Sequence, residues 1–445
     1  MPKKKARIRR VLSAALLITC LLVGSAGAQD TLKIDIFGPG QKRINMYVAT
    51  PVAIQGESGS SAWSEVKPIA LEHLDYLPFI TLIQPGEILG GAEPGGYKAD
   101  SIDFRKYGLS QVDLIMTSAY EPRSGMLGRL ELRVYEVFTQ RLVLGRAYGV
   151  ESQEQLPLVL RKFFADFMDT VAGNGDFFRS KLAFVKKEGQ SKEIWAISPL
   201  GTNLRKLTSL TGLNLSPEWS KDGSELIFTH VDGLGHRLGI WNSSTGAATL
   251  HDVPGNTLIG PAFIPGGDIA VSLDFGGNPD IYHLGRDFKV KEPIVENWAI
   301  DISPSFDASG EKMAFVSSRF GNPHIFLLDR KTGEVRRITY DGKYNTSPSI
   351  SPGGDLIAFS RMTPEGHRIF VHEIRTGRET QASFGPGNDE TPVFAPDDYF
   401  LAFASNRNGT YRIYITNRFG EDPKPVQTGE GEAISPAWVV ENRSG

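Results

Sequence analysis

One cysteine occurs in 445 residues, Cys20, and it lies inside an apolar N-terminal segment. The rest of the chain has neither disulfides nor thiolate chemistry, so its stability must come from core packing. The eight histidines are scattered, and none forms an H-E-x-x-H pair. A serine-nucleophile elbow is missing too: Gly56-Glu57-Ser58-Gly59-Ser60 fails at its last position. There is no phosphate-binding Walker loop and no calcium loop. No residue pattern specifies catalysis, and we expect neither cofactor nor metal. Beyond the first residues, no run reaches the roughly 18 apolar residues of a membrane helix. Basic charge is also short. Without residues 1–28 the chain holds 42 Lys and Arg against 51 Asp and Glu, a net charge of −9. That balance argues against a nucleic-acid partner, which favours a basic face.

Residues 1–28 read as a secretion signal. Lys3, Lys4, Lys5, Arg7, Arg9 and Arg10 precede an apolar run of 14 residues, Val11 to Gly24, and Ala26-Gly27-Ala28 forms an A-x-A site. The mature chain then starts at Gln29, outside the cytoplasm. Cys20 offers a lipoprotein alternative. Thr19 before it and the continuing run Leu21-Leu22-Val23 disfavour that alternative.

The strongest positive signal is a repeat. Prolines at 217, 261, 304, 348, 392 and 436, mostly in Ser-Pro-x-aromatic, are spaced by 44, 43, 44, 44 and 44 residues. A second series keeps the beat: Phe184, Phe228, Val271, Phe315, Phe359 and Phe403. A third is Trp195, Trp241, Tyr282, Phe326, Phe370 and Tyr414. Short β-type runs between Gly and Pro turns at this period predict the blades of a β-propeller. Residues 181–208 supply three strands and residues 435–440 one, so the C-terminal strand is expected to complete the first of six blades. Proline cannot donate to a ladder, so each one is read as the start of a strand. The aromatic after each proline is read as core between neighbouring sheets.

Residues 29–175 lack the repeat and read as a small α/β domain. Leu32 to Ile36 and Ile44 to Ala49 alternate as strands, and Val112 to Thr117 is a buried strand. Leu130 to Leu144 makes a hairpin around Phe138-Thr139-Gln140-Arg141. Ser64 is placed as the N-cap of a helix ending before Pro78. Ser152 caps a second helix, which Gly173 ends. Residues 176–445 form the propeller.

In a four-stranded blade, the loop into the inner strand and the loop between the second and third strands share one face. The first set carries Thr257, Leu258, Trp298, Asp301, Asn345, Thr346, Asp389 and Glu390. The second carries His236, Arg319 and Arg407. Singly these are solvated loop residues. Together they describe a mixed-charge ring around a channel mouth, suited to a protein partner, with Trp298 as an exposed anchor.

The signal, the α/β region and Ser216-Pro217-Glu218-Trp219-Ser220-Lys221-Asp222-Gly223, Ser303-Pro304-Ser305-Phe306 and Ser435-Pro436-Ala437-Trp438 together resemble the TolB family of Tol–Pal systems. Tyr107-Gly108 and Phe177-Phe178-Arg179-Ser180-Lys181 fit the same resemblance. It implies a non-enzymatic periplasmic protein that supports outer-membrane integrity, cell division and protein import. The implied partners are the peptidoglycan-associated lipoprotein Pal, at the propeller face, and TolA, at the mature N-terminus. Other outer-membrane proteins are further expected partners. By position the resemblance adds Thr257, Gly260 and Ile302 to the face, and Gln29, Asp30, Leu32, Ile34 and Ile36 to the N-terminal segment. The second repeat departs from the pattern, with Gly260-Pro261-Ala262-Phe263 in place of a serine motif. The competing readings are a propeller enzyme, or a glycan-binding module that would show aromatic rows on one face.

Overall fold

A computed structural model describes residues 43–54, 61–91 and 93–441. The expected signal peptide and the segment Gln29 to Ile36 lie outside the described residues.

The N-terminal region is one mixed sheet in the order Ile80–Leu82, Ile44–Val48, Leu114–Arg123, Met126–Glu136, Arg141–Val150. The first pairings are parallel and the rest antiparallel. Helices Val66–Asp75 and Leu156–Ala172 cover one face. Leu156, Leu160, Phe163, Phe164 and Phe167 form a buried apolar stripe along the second helix. Tyr107 and Val137 pack beneath the other face with Tyr47 and Ile115. Ser64 is not a cap. It sits in a 3-10 turn, Ser61–Glu65, and bonds back to the Ser61 carbonyl, so the α-helix starts two residues later. The expected strand at 112–117 starts at Leu114 and runs on to Arg123.

The repeats form one eight-stranded and four four-stranded antiparallel sheets. The larger one joins two groups of four through a single parallel bridge, Leu213 to Lys192. The C-terminal strand Ala433–Val440 pairs with Ser180–Glu188, as expected. The inner strands are Leu213–Trp219, Leu258–Phe263, Asp301–Phe306, Asn345–Ile350, Asp389–Phe394 and Ala433–Val440. Each contacts the next, and the last contacts the first.

The prolines do not begin these strands. Each lies inside one, at a β-bulge where the register shifts. A bulge leaves its extra residue unpaired, so the missing proline N–H costs no ladder bond. The residue before each proline, Ser216, Gly260, Ser303, Ser347, Thr391 or Ser435, has φ between 50° and 58°. Gly260 therefore supplies the same backbone shape as the serines. The departure in that repeat is chemical, not conformational. Two bulged residues oppose one residue of the next strand, and those opposing residues are the second repeat series, Phe184, Phe228, Val271, Phe315, Phe359 and Phe403. All six are fully buried. Burying each phenylalanine contributes about 1.5–3 kcal/mol. Trp219, Phe263, Phe394 and Trp438 are buried between neighbouring sheets as expected, and Phe306 is half-buried. The residue after the proline ties one inner strand to the next. Glu218 accepts from Phe263 N at 3.0 Å, Ser305 from Ile350 N at 3.1 Å and Ser349 from Phe394 N at 3.1 Å.

The two regions share one core. Phe177 lies 4.3 Å from Phe400 and 6.0 Å from Trp438, ring to ring, and the Trp438 indole donates to Ser180 at 2.6 Å. Arg161 pairs with Glu441 at 2.9 Å, and Lys424 pairs with Asp75. The connection is tight at Gly175, where a Cβ would stand 2.1 Å from the Ala165 carbonyl.

The bulge makes a stability prediction. Left-handed φ costs a non-glycine residue about 1–2 kcal/mol, and more when the side chain is β-branched. Ser347→Val should lower unfolding free energy by about 1–3 kcal/mol, whereas Ser347→Gly should stay within about 1 kcal/mol of wild type. Urea titration of both variants checks this. Equal losses would show that the backbone shape is not the constraint.

Candidate docking face

The inner strands start on the same side as the loops between second and third strands. Asp301 faces Ser317, and Ser317 faces His324, across adjacent strands. The predicted ring divides into two populations there.

The first holds the rim together and presents little surface. Asp301, Asn345 and Asp389 are fully buried, and Leu258 is buried. Arg319 reaches both Asp301 oxygens at 3.3 Å, Arg361 donates to Asn345 Oδ1 at 2.8 Å, and Arg407 donates to Asp389 Oδ1 at 3.0 Å. Each guanidinium also lies over two rings of its own sheet. Arg319 is 4.8 Å from Phe326, Arg361 is 4.5 Å from Phe370, and Arg407 is 4.7 Å from Tyr414. The same device recurs in a third-strand aromatic, a second-strand Arg and an inner-strand Asp or Asn. In the first inner strand Asn214 takes the place of the Asp and bonds to His230 at 2.8 Å. Asp301, Asn345 and Asp389 therefore act as internal buttresses, and a partner on this face meets other side chains. The reason is geometric: they point into the sheet stack, where a charge persists only when paired. Thr257, Gly260, Ile302, Thr346 and Glu390 are half-buried. Glu390 accepts from the Tyr411 hydroxyl at 3.0 Å; burial and that carboxylate push the Tyr411 phenol up to about 12.

The second population is exposed. Trp298 is 72% exposed, as the anchor reading requires, and His236 is exposed. Around them stand residues that the sequence reading passed over: Leu234, Phe275, Ile300, Phe320, Tyr340, Met362 and Phe384. With Trp298 and Tyr344 they make nine exposed large apolar side chains, all in the two loop sets of this one face or at the strand ends that flank them. Leu204 and Val335 are the other exposed ones in the repeats, among the described residues. The cue was present. Leu234 sits between Gly233 and Gly235, and Phe275, Phe320 and Phe384 each precede a glycine. A large apolar residue at a glycine turn has no sheet to pack into.

Away from these loops a cavity of about 850 Å³ is lined by the six prolines, the residues before them, Glu218 and Asp176. Gly260 is the one predicted face residue that lines it. Among the described residues no group of His, Asp, Glu or Cys is close enough to hold a metal ion.

Known proteins resemble this chain over most of its length. The family model of the TolB beta propeller domain matches residues 168–442. The Tol-Pal system protein TolB of Nitratidesulfovibrio vulgaris is 46% identical over 305 residues, 68% of this chain and 69% of that protein. A TolB homolog of Chlorobium chlorochromatii is 32% identical over 297 residues, 66% of this chain and 65% of that protein. The crystal structure of TolB from Acinetobacter baumannii superposes with a TM-score of 0.76 at 18% identity, covering 90% of this chain and 97% of that one. That last likeness is one of fold.

Glu218 gives the repeat region a pH signature. Its half-buried carboxyl lines the cavity, and desolvation there raises it from 4.5 to about 8, against the opposing bond from Phe263 N. The folded protein therefore favours the protonated form. This group's contribution to stability is complete below the unfolded value and is lost as pH rises through 8. Glu218→Gln keeps an acceptor for Phe263 N and removes the titration. Its melting temperature should rise relative to wild type between about pH 5 and about pH 9. Parallel melting profiles would overturn the assignment.

Proposed function

Since the chain belongs to the TolB family, we propose that it is a non-enzymatic periplasmic component of a Tol–Pal system that docks proteins on its loop face. The reading takes residues 1–28 as a signal peptide, 29–175 as the N-terminal domain and 176–445 as a six-bladed propeller closed by its C-terminal strand. In support of closure, the inner strands contact one another in turn and the last one pairs with Ser180–Glu188.

The observation that carries the docking function is the concentration of nine exposed apolar side chains on one face. A soluble surface rarely leaves such a patch bare, and patches of this kind mark binding sites. The peptidoglycan-associated lipoprotein Pal is the partner proposed for this face. TolA is the partner proposed for the mature N-terminus at Gln29, Asp30, Leu32, Ile34 and Ile36. If Pal prefers one arrangement of that N-terminus, each partner alters the other's affinity, and linkage makes the effect reciprocal.

Aromatic rows are also what a glycan-binding surface would show, and Phe275, Trp298, Phe320 and Tyr340 provide them. The aliphatic members, Leu234, Ile300 and Met362, favour a protein. Titration calorimetry of the mature protein with the soluble domain of Pal tests the reading. We expect a dissociation constant of about 1 μM or tighter. Failure to bind Pal, with binding of soluble peptidoglycan fragments instead, would replace it with the glycan reading.

A further inference from the structure

The exposed apolar residues do not encircle the loop face. They run from Leu234 to Phe384 and then stop. The remaining arc is built from 187–191, 207–212, 406–410 and 427–432. It exposes Lys187, Gln190, Asn408 and Glu430, and no large apolar side chain. Along the apolar crescent the exposed loop carboxylates are Asp252, Glu296, Asp341 and Glu365, against one exposed lysine, Lys343. The arginines there are turned inward. Arg237 pairs with Asp232, Arg319 with Asp301, and Arg368 donates to the Glu365, Gly385 and Gly387 carbonyls.

The crescent is held in place before any partner arrives. Arg337 lies 5.3 Å from the Phe320 ring and 4.9 Å from that of Tyr340. Phe320 stacks on Phe326 at 6.0 Å and 8°. The Asn278 amide donates to the Trp298 carbonyl. Ordered anchors lose little freedom on binding.

We propose that this crescent seats a folded protein, off-centre on the face, whose contact patch is apolar and bordered by lysine or arginine, and that the polar arc stays free. The inference rests on the docking reading above and adds which arc is used and what chemistry it selects. Charge complementarity favours such a protein over an anionic lipid surface, which the exposed carboxylates would repel.

The test titrates the soluble domain of Pal against three variants of the mature protein. Trp298→Ala/Phe320→Ala/Tyr340→Ala should weaken binding about 100-fold or more. Asp341→Lys/Glu365→Lys should weaken it about 10-fold, and less as salt rises. Lys187→Ala/Gln190→Ala/Glu430→Ala should change it by about 2-fold or less. All substituted side chains are solvent-exposed, so unchanged urea midpoints confirm folding. If wild type binds and the aromatic triple variant binds equally, the crescent is overturned and docking stands. An equal loss from the polar-arc variant also overturns it. If wild type does not bind, the docking reading fails and takes the crescent with it. Sedimentation with anionic vesicles, or of the protein alone, covers the other occupants. Vesicle binding or self-association that the aromatic variant abolishes would give the crescent to lipid or to a second copy, against the proposal.

Discussion

In every repeat two inner-strand residues, the second a proline and the first left-handed, stand opposite one fully buried side chain of the next strand. The rest of the repeat region depends on this two-against-one bulge. It bends each inner strand and turns the prolines toward the cavity. It also sets the following residue where Glu218, Ser305 and Ser349 reach the neighbouring strand. The strain of a left-handed serine is local, and the burial of phenylalanine opposite outweighs it. The proline series and the second series are thus two sides of one contact.

Above the bulge, holding and presenting are separate tasks. Asp301, Asn345 and Asp389 lock the strand starts against arginines that themselves lie over neighbouring rings of the sheet. A buried carboxylate in this setting survives because its partner is fixed; removing an arginine would leave the charge unpaired at a cost of about 3–5 kcal/mol. The loops between these locks carry Trp298, Phe320 and Tyr340 outward. A rigid floor with protruding aromatic anchors suits recognition of a preformed surface more than enclosure of a small molecule.

The period, the strand content and the buried aromatics were legible in the sequence because repetition reports a shared environment six times over. The proline position was misread because a proline at a strand start and a proline at a bulge leave the same mark; the left-handed Ser216 or Gly260 before it shows only in φ. The face itself was legible from loop order, and Trp298 was rightly placed on its surface. Asp301 and Asp389 read as surface charge, because polarity in a loop-edge position does not reveal which way a side chain turns. Phe320 and Leu234 are hidden for the converse reason: apolar residues read as core unless their flanking glycines are weighed.

Amide hydrogen exchange of the mature protein, with and without the soluble domain of Pal, tests the central claim most directly. The account predicts slowed exchange in 296–300, 318–322 and 339–344, with 220–224 and 351–355 on the opposite side unchanged. Protection confined to that opposite side, or to the N-terminal region, would contradict a docking face built on these loops.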